Sequence, residues 1–170
     1  MGKSFQKQEK VDIMASEKKH NSTLDNAGRF LLPTSILQEW KVKIEDGFVI
    51  NRGFDKCLNI YPMPYWKELK ARLDKLNPFD PKNRSFIRYF TGGATEITPD
   101  SKNRFLIPMH LQEYAKLGKE LYIVNINDVV EIWNPNLYDD SNNSFVENNP
   151  EFISKTTNEL FGDGTAFELS

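Results

Sequence analysis

The chain has 170 residues, 39 % of them hydrophobic and 27 % charged, with a net charge of −2 at pH 7, a composition that supports a real hydrophobic core. No apolar run reaches the roughly eighteen residues of a membrane span, and the start Met1-Gly2-Lys3-Ser4-Phe5 lacks the apolar stretch of a secretory signal. A lone cysteine, Cys57, makes neither an internal disulfide nor a metal site by itself, so a cytoplasmic location is expected.

Residues 1–18 are polar, with Gln6-Lys7-Gln8-Glu9-Lys10 typical of them, and read as a flexible basic arm. The stretch 16–23 is polar and lacks apolar alternation. A turn over Asp25 to Gly28 then leads into a short apolar strand at 30–32, which stops at Pro33 because proline cannot donate to a ladder. A short helix follows, with Thr34 or Ser35 as its cap and Ile36, Leu37 and Trp40 as its apolar stripe. Strands are predicted at 48–51 and 57–61. Beyond them, residues 64–76 and 82–90 carry amphipathic patterns, through Trp66, Leu69 and Leu73 and then Phe86, Ile87 and Phe90, and predict an αα-hairpin.

The same order of elements then returns. Leu24-Asp25-Asn26-Ala27-Gly28-Arg29-Phe30-Leu31-Leu32-Pro33 aligns with Pro99-Asp100-Ser101-Lys102-Asn103-Arg104-Phe105-Leu106-Ile107-Pro108 at a constant offset of 75, as from Arg29 to Arg104. The second copy repeats the turn, a strand at 105–107, a helix with Leu111, Tyr114, Ala115 and Leu117, and strands at 121–125 and 129–133. The chain is therefore a tandem duplication. Domain boundaries are expected at an arm over 1–18, a first unit over 19–65, a helical connector over 66–93, a second unit over 94–137 and a tail over 138–170. The tail holds Asp139, Asp140, Glu147, Glu151, Glu159, Asp163 and Glu168 against Lys155 alone, a net of −6, which leaves +4 on residues 1–138. At most one short helix is predicted there, starting near Pro150. A basic body with an acidic tail is compatible with a nucleic-acid partner.

The chemistry to explain is an Asp-x-x-x-Arg element that occurs twice. Asp25 and Asp100 can accept backbone N–H bonds within their own turns, and Gly28 supplies a positive φ just before the strand. One reading makes Asp25–Arg29 and Asp100–Arg104 ion pairs that close the two turns. The other uses the repeated arginine to read a repeated nucleic-acid sequence, by bidentate contact to guanine or to phosphate.

These residues resemble the MraZ family. The resemblance rests on Leu24-Asp25-x-x-Gly28-Arg29-Phe30-Leu31-Leu32-Pro33 and the run from Phe48-Val49-Ile50-Asn51-Arg52-Gly53 to Leu58, followed by Tyr61-Pro62-Met63. Arg84-Ser85-Phe86-Ile87-Arg88-Tyr89-Phe90, Gly93-Ala94-Thr95-Glu96 and Val130-Glu131-Ile132-Trp133 complete it, so that it spans residues 20–138. It implies an α+β, β-rich fold in which two SpoVT-AbrB-type half-units form a swapped-hairpin, double-split β-barrel with a helical insert. It implies a ring-shaped homo-oligomer that binds double-stranded DNA at direct repeats in a promoter, upstream of the operon for cell division and cell-wall synthesis. It places DNA contact on Arg29 and Arg104, with Gly28 and Lys102 near the backbone, and implies a repressor associated with the nucleoid. The family's first strand falls on residues 16–23, where the alternation is lost, so that strand is expected to be frayed or weakly paired. Copy two has Asn103 where glycine is typical, and copy one has Ala27 where lysine is frequent, so Lys18 and Lys19 are expected to supply phosphate contacts.

Other chemistry finds no support. His20 and His110 have no partner at ligand spacing, and no phosphate loop, nucleophile elbow or paired-cysteine motif occurs, so neither metal, cofactor nor enzymatic activity is expected. Arg84 and Arg88, one turn apart, read as a solvated helix face or as partners in salt bridges between subunits rather than as DNA contacts. The rival reading is a non-DNA, antitoxin-like oligomeric partner binder on the same fold.

Overall fold

The computed structural model describes residues 18–162. The expected basic arm, apart from Lys18, lies outside them. In chain order the elements are β1 (Lys19–Thr23), β2 (Arg29–Leu31), α1 (Thr34–Trp40), β3 (Phe48–Arg52), β4 (Leu58–Pro62), α2 (Met63–Leu73), α3 (Pro81–Thr91), β5 (Thr95–Ile97), β6 (Arg104–Leu106), α4 (Met109–Tyr114), β7 (Glu120–Ile126), β8 (Val129–Trp133), α5 (Pro135–Asn148) and α6 (Pro150–Phe161). This is an α+β arrangement whose strands pair antiparallel throughout.

Six strands make one open sheet in the order β1-β7-β8-β4-β3-β5, and β2 and β6 make a second, two-stranded one. The order shows how the two copies combine. The β3–β4 hairpin of the first copy lies beside the β7–β8 hairpin of the second, joined through β4 and β8. Each copy sends its first strand across to the other: β1 pairs with β7, and β5 pairs with β3. Both outer edges of each copy's hairpin are thus closed by strands of its twin, as short strands require.

The core lies between the large sheet and the pair β2–β6. Phe30, Ile36 and Phe48 from the first copy meet Phe105, Leu111 and Ile123 from the second, all almost fully buried. The unbroken run Phe48-Val49-Ile50 is explained by burial on both sides of β3. Phe48 and Ile50 face this core, whereas Val49 joins Tyr61, Trp66, Leu73 and Phe90 in a second cluster beneath α2 and α3. Trp66 stacks on Phe90 at 5.5 Å between ring centroids, which ties the two helices together. Asn51 Nδ2 donates to the Phe90 carbonyl at 2.6 Å, and Arg52 Nη2 donates to that of Tyr89 at 2.8 Å, so β3 also holds the end of α3.

Three expectations are corrected. Of the stretch 16–23, the part Lys19–Thr23 is not frayed: it is β1, which pairs with β7 in register from Lys19↔Val124 to Thr23↔Glu120. Ladder pairing uses backbone groups and needs no apolar side chain, and the Lys19 ammonium lies 4.3 Å over the Tyr122 ring. Neither Thr34 nor Ser35 caps α1. Both lie inside its first turn, and Pro33, at φ −54°, directs the chain into the helix, as Pro108 does for α4 at the same φ. The tail contains two helices, α5 and α6, where at most one was predicted. The described residues from Asn136 to Gly162 form a compact unit of their own, distinct from the unit that ends at Pro135. Pro150 opens α6 while the Asn149 amide still donates to the Phe145 carbonyl, and Phe145 meets Phe152 edge-on at 6.1 Å. Among the described residues, no helix is long and apolar enough to cross a membrane.

Candidate nucleic-acid interface

The two Asp-x-x-x-Arg elements fold into matching turns. Asp25 Oδ1 accepts from the Ala27 and Arg29 amides, both at 2.9 Å, and the Asp25 amide donates to the Arg29 carbonyl at 2.9 Å. In the second copy Asp100 Oδ1 accepts from the Lys102 and Arg104 amides, both at 2.9 Å, and the Asp100 amide donates to the Arg104 carbonyl at 2.9 Å. Each turn needs a left-handed residue before its arginine. Gly28 has φ +83° and Asn103 φ +60°, and asparagine is among the few side chains that tolerate that region.

The turns lead into β2 and β6, which pair with Phe30 opposite Phe105. Strand alternation then separates the faces. Phe30 and Phe105 point into the core, while Arg29, Leu31, Arg104 and Leu106 lie on the outer face, each arginine opposite a leucine of the other strand. Leu31 and Leu106 are 55 % and 46 % exposed, large for such side chains. Sequence reading treated both as part of an apolar strand. The period-two alternation of Arg29-Phe30-Leu31 is the signal that could have placed them outside.

Because β2 and β6 are adjacent, the charges pair between copies as well as within one. Arg104 donates to Asp100 Oδ2 through Nε at 3.0 Å and Nη2 at 2.9 Å, the turn-closing pair that the sequence suggests. The expected Asp25–Arg29 pair does not form. Asp25 Oδ2 faces Arg104 Nη1 at 3.7 Å instead, and Arg29 Nε faces Asp100 Oδ2 at 3.8 Å. These four side chains form one cluster, about a third exposed. The carboxyl of Asp100 titrates below the usual carboxylate range, chiefly because the Arg104 amide bonds to its charged form, with the Lys102 amide and the Arg104 guanidinium adding to the effect.

The other residues singled out in the sequence are placed as follows. Gly28 lies against the second copy: its carbonyl accepts from the Ile107 amide at 2.9 Å, and a Cβ there would meet Gln112 Nε2 at 2.5 Å. Lys102 lies exposed in the second turn. Lys18 and Lys19 are at the opposite end of β1, about 13 Å along the strand from Thr23. Lys18 Nζ lies 3.9 Å from Glu39, and its carbonyl accepts from the Asn125 amide. The structure therefore gathers Asp25, Arg29, Asp100, Lys102 and Arg104 into one face, with Gly28 buried in the turn beneath it, and Lys18 and Lys19 are apart from it.

A second feature lies under the αα-hairpin. An apolar groove of about 490 Å³ is lined by Phe54, Tyr61, Leu69, Phe86, Phe90 and Glu131 among others, and the exposed Phe54 ring stacks on Phe86 and Phe90. Beneath it, the thiol of Cys57 is buried, and burial with the nearby Glu131 carboxylate pushes its titration far above the ordinary value of 9.0. Such a thiol is not an activated nucleophile. No cluster of three or more metal-ligating side chains occurs among the described residues.

Comparison with known proteins agrees with the duplication. The family model described as "MraZ protein, putative antitoxin-like" matches twice, over residues 15–89 and 90–160. The chain is similar to the Transcriptional regulator MraZ of Flavobacterium psychrophilum, 33 % identical over 144 residues, covering 82 % of this chain and 92 % of that one. It is similar to the protein of the same name from Clostridium acetobutylicum, at 34 % over 130 residues, covering 76 % and 89 %. That from Moorella thermoacetica is 42 % identical over 115 residues, covering 67 % and 77 %.

Proposed function

The chain belongs to the MraZ family, and from that premise we propose that it is a sequence-specific DNA-binding transcription regulator whose base-reading side chains are Arg29 and Arg104. The observation that carries this reading is the outer face of β2–β6. Two arginines from equivalent positions of a duplicated unit stand there on adjacent strands, each launched from a turn with the same aspartate-to-amide bonds. A guanidinium on such a face presents a planar fork of donors that matches guanine O6 and N7, or a phosphate. Lys102 flanks it and suits phosphate contact, which sets register without carrying sequence information, whereas the buried Gly28, whose amide donates to the Asp25 carbonyl and whose carbonyl accepts from Ile107, shapes the turn instead.

In this reading the protein acts in the cytoplasm, on the nucleoid, as a repressor. Its DNA is a set of repeated promoter boxes upstream of the cell-division and cell-wall operon that carries its own gene. The exchange of first strands between copies supports a swapped-hairpin barrel as the DNA-reading core. A ring-shaped homo-oligomer would align several such faces along one duplex, so that weak single contacts gain avidity through multivalency. The reading requires no cofactor and no enzymatic step.

The test is a footprint on the DNA upstream of the protein's own gene, with Arg29→Ala and Arg104→Ala alongside. Each substitution is expected to weaken specific binding by about 1–3 kcal/mol per lost base contact with the thermal melt unchanged. Promoter binding that both variants retain in full would remove the two arginines from the interface.

A second reading is favoured by the groove beneath the αα-hairpin, whose exposed Phe54 and half-exposed Phe86 suit an apolar partner. It makes the protein an antitoxin-like partner binder. Salt separates the two readings, because DNA affinity falls steeply as salt rises. A stoichiometric protein partner, with no preference among duplexes, would favour the groove.

A further inference from the structure

We propose that Asp25 and Asp100 are specificity-determining residues: in the free protein they screen Arg29 and Arg104 across the two copies, so that neutral base edges, rather than phosphates in general, draw the arginines out. The inference rests on the assignment of those arginines to DNA reading.

Each carboxylate divides its two oxygens between two tasks. Oδ1 builds the turn, accepting from two backbone amides in both copies. Oδ2 faces guanidinium groups: that of Asp25 the other copy's Arg104, and that of Asp100 both the Arg104 of its own turn and the other copy's Arg29. An aspartate kept for the turn alone would have no reason to place its second oxygen within reach of the other copy's arginine, yet both aspartates do so.

The consequence follows from charge. A phosphate that approaches Arg29 or Arg104 must displace a carboxylate and then remain beside it, anion against anion. A guanine edge offers two acceptors without a net charge, so the same carboxylate repels it far less. The carboxylates thus act as a repulsive element against the wrong ligand, which is one of the two ways in which specificity arises. The pairs are partly exposed, so each is weak and readily opened. A screen of this kind must open on the correct sequence.

The screen is unequal. Arg104 is held by both carboxylates, at 2.9 Å by Asp100 and 3.7 Å by Asp25, whereas Arg29 is held at 3.8 Å by Asp100 alone. Asp100 therefore restrains both arginines and Asp25 only one. Removal of Asp100's charge releases more.

Asparagine separates the two tasks, since its oxygen keeps the turn bonds while its amide nitrogen replaces the anionic Oδ2. Full-length wild type, Asp25→Asn and Asp100→Asn are titrated against two fluorescent duplexes. One carries the sequence upstream of the protein's own gene, and the other the same bases in scrambled order. Asp100→Asn is expected to bind the scrambled duplex roughly two- to fivefold more tightly, with a steeper salt dependence and a smaller gain on the upstream duplex. Asp25→Asn should show a lesser gain in the same direction. Both gains should vanish in an Arg29→Gln/Arg104→Gln background. Unchanged scrambled-duplex affinity in either folded variant would overturn the screen. So would a gain that persists without the arginines, which would reflect net charge alone. If Asp100→Asn fails to fold, Asp25→Asn carries the same test. Should Arg29→Gln/Arg104→Gln in the wild-type background leave upstream-duplex binding intact, the assignment of the arginines fails, a result separate from failure of the screen.

Discussion

Phe30 and Phe105 lie directly opposite one another on adjacent antiparallel strands, with ring centroids 5.9 Å apart and both side chains buried. They are equivalent residues of the two copies, and their contact is where the duplication closes on itself. The arginines that precede them, Arg29 and Arg104, are carried on the opposite face of the same two strands, so the spacing of the charged cluster depends on this buried pair.

Phe30→Ala and Phe105→Ala should each destabilise the fold by about 3–5 kcal/mol. Phe105→Ala should cost the more, because its ring also packs edge-on against Phe48 at 5.2 Å. Urea denaturation reads this as a lowered midpoint at constant slope. Equal midpoints for Phe105→Ala and wild type would contradict the role assigned to the pair.

The two turns differ at their left-handed position, and substitution should expose the difference. Gly28→Ala places a Cβ at φ +83°, against a Gln112 amide that is itself bonded to the Ile107 carbonyl at 2.7 Å. The expected cost is about 1–2 kcal/mol. Asn103→Gly should change stability by less than about 1 kcal/mol, since glycine accepts the same φ. A thermal melt of the two variants side by side checks the order.

Asn51 connects the sheet to the αα-hairpin through the Phe90 carbonyl and also accepts from the Arg52 amide at 2.8 Å. Asn51→Leu leaves both groups without this buried partner and should cost about 1–3 kcal/mol. Amide exchange should quicken at the C-terminal end of α3 before it does in β7 and β8. Uniform quickening across the molecule would show that Asn51 serves the core as a whole.

Cys57 gives a pH dependence of definite sign. Its thiol titrates above 9.0 in the folded state, first because of burial and then because of the Glu131 and Asp55 carboxylates. The unfolded thiol loses its proton sooner, so the stability from this group is complete below pH 9 and is lost as pH rises beyond it. Cys57→Ala should flatten the alkaline part of the stability curve without abolishing the decline, because burial also raises Tyr61. A thiol reagent should leave native protein unlabelled at neutral pH and label it once in denaturant. Rapid labelling of the native protein would refute this.

Much of the architecture is legible in the residues. Repetition of Asp-x-x-x-Arg-Phe-Leu at an offset of 75 reveals the duplication and the matching turns, because a turn built on Asp Oδ1 and a left-handed residue is a local structure. The amphipathic spacing of Trp66, Leu69 and Leu73 reveals a helix for the same reason. Where the reading failed, the deciding partner was distant. The polar strand Lys19–Thr23 is ordered by the backbone of β7, about a hundred residues onward. The two tail helices come from residues whose polar composition resembles that of a tail.

The sequence by itself determined that there are two units, where each turn lies, and which four charged side chains the duplication repeats. Only the tertiary structure decided how those charges pair. Asp25 and Arg29 are four residues apart, yet Asp25 faces Arg104 and Arg29 faces Asp100. The reason is geometric: antiparallel pairing of β2 with β6 puts the two turns side by side, which brings each aspartate within reach of the other copy's arginine, while Arg104 also keeps its own partner Asp100 at 2.9 Å. A motif that reads as two separate ion pairs becomes a single cluster shared by both copies.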